Sequence, residues 1–557
     1  MKSSSNLFLF LILVLFLSSC INTCKKPKKK EVKEVIQEIN EIEQFNGDTS
    51  LVFDSLKLNR FLNTYTSFAY LKNDIAQFYS NRNYSFAWFD QNGMLEQASN
   101  LINHLVYTDS EEVDIAIPHR QEFINLMTLG NADSVFNTKD SHTIYIELML
   151  TAQYFNYAKQ VWEGGDDSAR LKSGWFIPRK KLSYSNLLDT LTLGAKNIFE
   201  NEPLYPQYAL LKNKLKIYKT IEKNGGFDSL YLNVAKLSIG DSNDVLVLIR
   251  KRLYQEKDID ENSASARFDS ILKYGILNYQ SRNGLKADGV IGKNLIKQMN
   301  IPAKTIIQKL MVNMERCRWL PSETYKDYFV INIPDFKLYV YENDTFSWNM
   351  NVVVGKVLTK TVIFHGDMKY VVFSPRWTIP SSIIASEVLP AIKKNIGYLA
   401  KKNFEVVDFD GNVVNPYTVK WNKYTANTLP YKIVQKSGDD NALGRVKFLF
   451  PNSYNIYMHD TPAKSYFAEQ TRTFSHGCVR LAEPKKLAQY ILRNDTTWNE
   501  MRIDTSMMQD HEIRYTIPNP IPVYIVYFTS WVDSKGNLNL RNDIYGRDER
   551  LLEAIIK

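Results

Sequence analysis

The chain has 557 residues, 44% hydrophobic and 23% charged, with 69 Lys and Arg against 60 Asp and Glu for a formal charge of +9. That length exceeds what one hydrophobic core fills, so several domains are expected, and the composition excludes a disordered or many-spanning membrane protein. Part of the positive excess is local, at Lys25, Lys26, Lys28, Lys29 and Lys30, where it reads as a solvated tether near an anionic surface and not as a nucleic-acid site.

At the N-terminus, Lys2 precedes an unbroken apolar run from Leu7 to Leu17, too short for a comfortable transmembrane helix and suited to a signal peptide. The run ends in Leu17-Ser18-Ser19-Cys20, which resembles the lipobox of bacterial lipoproteins. The resemblance implies a signal peptide over 1–19, lipidation of Cys20, and a Lys- and Glu-rich tether over 20–47. Cys24 fits the lipobox less well. Of the four cysteines, Cys317 and Cys478 remain, too few for a disulfide scaffold in an oxidising compartment. Cys317 lies in a helical string, Met314-Glu315-Arg316-Cys317-Arg318-Trp319, and reads as packing.

Residues 48–232 have helical spacing, with Phe61, Tyr65 and Phe68, then Leu148, Leu150, Tyr154 and Tyr157. Nothing there has catalytic spacing, so this span is read as a helical scaffold domain. Residues 233–302 form a small three-helix unit. Val245, Leu248, Ile249 and Leu253 recur at helical spacing, and Leu277-Asn278-Tyr279-Gln280 precedes the turn Gly284-Leu285-Lys286-Ala287-Asp288-Gly289-Val290-Ile291-Gly292. That string resembles the peptidoglycan-binding domain 1 family, which implies a glycan-peptide groove; the plain alternative is glycines ending helices at positive φ. Residues 303–327 are taken as a helical linker. From 328 to 547 the period changes to two, in Phe329–Ile333, Lys337–Tyr341, Asn349–Gly355, Tyr370–Phe373, Phe448–Phe450 and Val523–Phe528, predicting a mostly β domain. A long insert at about 375–440, helical near Glu387–Ala400, has the length of a lid. Residues 548–557 are taken as a C-terminal tail. The fold class expected is therefore multidomain α+β.

The chemistry gathers at His459 and Cys478. Tyr457 and His459 are two apart on a predicted strand and share a face; a fifteen-residue loop then reaches Ser475-His476-Gly477-Cys478. A free thiol, pKa ~8.5, is mostly protonated at neutral pH, and an imidazole can take its proton and return it to a leaving amine. The backbone amides of Gly477 and Cys478 are candidates for an oxyanion hole. A structural zinc on Cys478, His459 and His476 lacks a nearby fourth ligand, His365 joining only through the fold, so no metal and no cofactor are expected.

Tyr457-Met458-His459-Asp460-Thr461-Pro462, the loop, and Ser475-His476-Gly477-Cys478-Val479-Arg480-Leu481 resemble the L,D-transpeptidase catalytic domain, YkuD-like. Arg376-Trp377-Thr378-Ile379-Pro380 and Asn441-Ala442-Leu443-Gly444-Arg445 are similar to its large YcbB-like branch, which has a helical scaffold, a peptidoglycan-binding module and a capping insert. The resemblance implies a Cys478 nucleophile, a His459 base and acid, an Asp460 backbone carbonyl orienting the imidazole, and thioester-mediated 3→3 cross-linking of stem peptides. His476 is expected to hold the loop, with a secondary catalytic role open. Arg480 is read as equally a substrate-carboxylate ligand or half of a structural ion pair, and Tyr457 and Trp377 as pocket residues or core. The implied partners are peptidoglycan stem peptides and glycan, and a membrane through the lipid anchor, with no nucleic acid. The expected address is the periplasm, anchored at the outer membrane. An L,D-carboxypeptidase or exchange enzyme would use the same acyl-enzyme; a non-catalytic wall-binding lipoprotein would need neither His459 nor Cys478.

Overall fold

The computed structural model describes residues 51–107, 116–130, 140–180, 182–192, 202–321 and 325–556. The signal peptide, Cys20 and the tether lie outside the described residues. The chain divides into two compact units, and the span read as one scaffold domain is shared between them.

The first unit, whose described residues are 51–107, 117–130, 140–156 and 183–192, is mainly helical. Its core is aromatic: Phe61, Phe68, Phe78, Tyr79 and Trp88 are all buried. Glu147 is fully buried among them. Its carboxylate accepts from the Tyr79 hydroxyl and the Ala87 N–H, both at 2.7 Å, and from the Trp88 N–H at 3.0 Å. Those three donors offset the cost of taking the charge out of water.

In the second unit, β-strands, some burying alternate residues and others buried on both faces, curl into a closed sheet. They are β1 (Tyr328–Asn332), β2 (Lys337–Glu342), β3 (Thr345–Gly355), β4 (His365–Phe373), β5 (Val446–Leu449), β6 (Met458–His459), β7 (Thr473–Ser475), β8 (Val479–Leu481) and β9 (Ile513–Val526). Their order is β7-β3-β8-β6-β5-β4-β9-β1-β2, and β2 also pairs with β3 to complete the closure. Between β4 and β5 the chain leaves to build a body of its own. Four short antiparallel strands, ordered Val413–Val414, Phe404–Val407, Lys432–Gln435 and Trp377–Thr378, cover a separate apolar core that includes Ile384, Val388, Leu389, Ile392 and Ile433. The side-chain amide of Asn441, buried at the neck, donates to the carbonyls of Pro375 (3.0 Å) and Lys436 (2.8 Å) and so pins the two ends of the insert together.

Ahead of the sheet stand three helices, α1 (Val245–Gln255), α2 (Ser270–Arg282) and α3 (Lys293–Met299), on their own core. Gln280 braces the glycine-rich turn. Its amide nitrogen donates to Asp288 Oδ1 at 2.9 Å, and its oxygen accepts the Gly289 N–H at 2.8 Å. Gly284 and Gly289 hold φ of +66° and +68°, a region that favours glycine. Arginine bonds to backbone carbonyls fasten the unit to the β domain, while the Arg282 ion pairs lie within the unit. Arg282 reaches Asp258 through two N–H groups at 2.7 and 2.5 Å, Glu256 at 3.1 Å and the Leu538 carbonyl at 3.3 Å. Arg541 in turn holds the Arg282 carbonyl at 2.8 Å and Asp335 at 2.6 Å. Arg282→Ala should strand the buried Asp258 carboxylate, Glu256 keeping Arg252 at 3.0 Å, so a loss of about 3–5 kcal/mol is expected, read as a lowered midpoint of unfolding by urea; a change within error would show that the network is solvated.

Two boundary expectations change. The span taken as a linker contains α4 (Ala303–Trp319), in which Leu310, Val312, Cys317 and Trp319 are fully buried. It is core and not a connector, and Asn313 clasps Thr529 through two hydrogen bonds of 2.8 and 2.9 Å. The supposed tail is a helix, Arg547–Ile555, that buries Leu551 and pairs Asp548 with Arg316 at 2.7 Å. Cys317 is inert packing, its thiol pushed up by burial.

Candidate active site

β6 and β8 lie parallel, with Met458 opposite Val479 and His459 opposite Arg480. Paired residues of parallel strands project to the same face. Met458, Val479 and Leu481 fill the sheet interior with no exposure. Alternation therefore turns Tyr457, His459, Cys478 and Arg480 together to the other face. The Val479 N–H donates to the Tyr457 carbonyl at 3.1 Å, which sets Cys478 beside Tyr457 and diagonal to His459.

His459 is buried, 5% exposed. Its Nδ1 lies 2.5 Å from the Asp460 carbonyl. A carbonyl only accepts, so Nδ1 carries the proton and Nε2 presents a lone pair. Burial, then the Arg480 guanidinium, depress this imidazole to about 3, so it is neutral at physiological pH. Burial pushes the Cys478 thiol up, while the Tyr457 backbone N–H and Arg480 pull the other way. The resting pair is thus neutral thiol and neutral imidazole. The Asp460 carboxylate faces elsewhere. It accepts from the Arg445 N–H (2.8 Å), the Thr461 N–H (2.7 Å) and Lys464 (2.5 Å). A Cβ on Gly444 would come within 2.4 Å of it, so the turn there needs glycine.

The cysteine loop is held differently from the expectation. His476 does not anchor it. Its ring is exposed, with Nε2 3.5 Å from Glu387 of the insert. The anchors are Ser475, Thr359 and Thr361. The Ser475 hydroxyl donates to the Cys478 carbonyl at 2.6 Å, Thr359 donates to the Ser475 carbonyl at 3.1 Å, and Thr361 to the Gly477 carbonyl at 2.8 Å. Gly477 at φ +120° needs to be glycine. Its N–H, expected as an oxyanion donor, instead donates to Ser475 Oγ at 3.1 Å. Of the two expected donors, the Cys478 N–H alone makes no bond to protein among the described residues.

Arg480 has no carboxylate partner among the described residues, and its buried Nε is without a hydrogen bond. The structural ion pair is therefore not formed, and the guanidinium faces the Cys478 side unneutralised. Trp377 packs on the insert core and lies within polar reach of the Tyr457 hydroxyl, while burial raises that phenol. No group of three or more His, Cys, Asp or Glu is placed to hold a metal, and no helix is long and apolar enough to cross a membrane, among the described residues. Sequence reasoning missed Ser475 as a loop anchor although it stands in the motif, and missed Thr361 and Glu387, which only the fold brings there.

Comparison with known proteins gives two family matches: residues 326–504 match YkuD, the L,D-transpeptidase catalytic domain, and residues 73–215 match the scaffold domain family. A Haemophilus influenzae protein named as an L,D-transpeptidase is 33% identical over 246 residues, covering 44% of this chain and 49% of that protein. The chain thus spans about half the length of the curated relative it matches. Among solved structures, an L,D-transpeptidase from Stackebrandtia nassauensis is 12% identical, covers 53% of this chain and 97% of that one, and has a TM-score of 0.22. One from Mycobacterium smegmatis is 14% identical, covers 36% and 58%, and has a TM-score of 0.18.

Proposed function

We propose that this chain, a member of the L,D-transpeptidase family through its catalytic domain at residues 326–504, joins peptidoglycan stem peptides by 3→3 cross-links through a Cys478 thioester. The observation that carries this reading is the parallel register of β6 and β8, which turns Tyr457, His459, Cys478 and Arg480 to one face. Cys478 attacks the carbonyl of the L-centre of the third residue of a tetrapeptide stem. His459 Nε2 takes the thiol proton as the C–S bond forms and passes it to the departing D-Ala amine. The Asp460 carbonyl keeps the ring in the needed tautomer, and the Cys478 N–H is the donor aimed at the oxyanion. The side-chain amine of another stem then displaces the thiolate.

Arg480 suits a stem carboxylate, because a guanidinium without a partner gains most from an anion. Arg480→Gln should raise KM for stem peptides about 10- to 100-fold, as expected for a hydrogen bond to a charged group, with a smaller effect on kcat. Equal KM for acid and amidated stems in both proteins would remove Arg480 from this role. The unit at 233–302 is assigned to polymer binding. Ile271 and Tyr274, one helical turn apart on α2, are 53% and 65% exposed and offer it an apolar surface. The Cys20 lipobox assigns the chain to the envelope membrane, an assignment tested by whether Cys20→Ala releases it. The decisive experiment for the activity is mass analysis of muropeptides after incubation with disaccharide-tetrapeptide. A dimer linked between two third residues supports the reading, and tripeptide alone replaces it by L,D-carboxypeptidase action.

A further inference from the structure

The acyl-enzyme reading leaves one proton without a destination. An amine acceptor with an ordinary pKa near ~10.4 arrives as an ammonium ion, which has no lone pair with which to attack. His459 is poorly placed to help. It is buried against the sheet, binds a proton only weakly, and is needed to return a proton to the departing sulfur.

A second imidazole stands at the mouth. His476, two residues before the nucleophile, is exposed, and its Nε2 is 3.5 Å from Glu387 Oε1. Glu387 comes from the insert, a body with its own sheet and core. It sits on a π-turn, Ile384–Val388, immediately ahead of Leu389–Lys394, whose second residue is Pro390. Proline has no N–H to continue the helical ladder, and the wider turn is the local answer. Ile384 and Val388 go into the insert core, while Glu387 is left 55% exposed, with no other ion pair among the described residues. Nothing in the fold requires this carboxylate to reach the Ser-His-Gly-Cys loop, which Ser475, Thr359 and Thr361 already secure.

We propose that Glu387 and His476 form the acceptor subsite, with the Glu387 carboxylate drawing in the cationic amine and His476 acting as the base that frees its lone pair. The proposal rests on the thioester reading above. The ammonium gives one proton to His476, and the neutral amine adds to the thioester carbonyl. The C–N bond forms, the C–S bond breaks, and Cys478 leaves as thiolate. The second amine proton passes through His459 to that sulfur, and His476 releases its proton to solvent. Acylation and acceptor activation thus use different histidines.

The test compares two acceptors on the full chain with disaccharide-tetrapeptide as donor: a D-amino acid, whose amine is an ammonium at neutral pH, and hydroxylamine, which is already unprotonated. His476→Gln should lower transfer to the D-amino acid on the order of 100-fold, the scale of a lost general base, and Glu387→Gln about tenfold, the scale of a lost charge-assisted contact. In both variants hydroxylamine should restore most of the loss. An equal fall with both acceptors, as expected of a damaged loop, would overturn the proposal. If wild-type protein forms no thioester by intact mass, the acyl-enzyme reading itself fails, and the subsite with it.

Discussion

Cys478→Ala is expected to abolish every covalent adduct, both the stem-peptide thioester and the product of a carbapenem, while the protein keeps its fold. The sulfur is half-buried and its loop is held through backbone carbonyls, by Ser475, Thr359 and Thr361, so removing one atom should cost about 1 kcal/mol or less. Intact mass after incubation with a carbapenem, beside a thermal melt, checks both halves. An adduct on the variant would place the nucleophile elsewhere. Cys317, the other described cysteine, cannot substitute, being fully buried with its thiol pushed up.

His459→Ala should slow acylation on the order of 10²–10⁴-fold at neutral pH and change how the rate depends on pH. In the wild type, burial and Arg480 hold the imidazole down to about 3. It stays neutral across the range where a free histidine would titrate, so the acylation rate should be nearly flat from about pH 5 to about pH 8. The variant has no base, and only pre-formed thiolate reacts. Its rate should climb about tenfold per pH unit until the thiol ionises, and burial places that point above an ordinary thiol's value. Product formation should recover less than acylation, since the leaving amine still lacks a proton donor. The measurement is carbapenem acylation against pH for wild type, His459→Ala and His476→Ala. Should His476→Ala show the pH-rescued defect and His459→Ala acylate normally, the base has been assigned to the wrong ring. The same depression of His459 has a stability consequence. The unfolded chain binds a proton below about pH 6.5 that the folded chain refuses until about 3. Stability is therefore lost as pH falls through that window.

Much of the β domain was legible because a strand that is buried on one side writes its period into the sequence, as Lys337–Tyr341 does, and a strand buried on both, such as Phe329–Ile333, shows as a short apolar run. The pairing of Tyr457, His459 and Cys478 was legible for a related reason: the motif residues are local, and only the loop between them had to close. What failed was non-local. Thr361 reaches the Gly477 carbonyl from 116 residues away, and no spacing rule carries that information. α4 was misread as a connector because its burial comes from all around it, including Thr529, so its apolar residues form no single stripe. The Gly477 amide was misassigned because Ser475 Oγ competes for it. A short hydroxyl two residues away is a common rival for a loop N–H, and the string Ser-His-Gly held that warning.

Arg282 donates to the Leu538 carbonyl and Arg541 to the Arg282 carbonyl, two bonds that tie the three-helix unit to the domain that carries Cys478. If the unit holds polymer as proposed, the bound strand would be presented to the thiol from a fixed mount and would not have to find it by diffusion. The distance from that mount to the sulfur would then act as a ruler, setting with the pitch of the glycan which stems the proposed reaction could join.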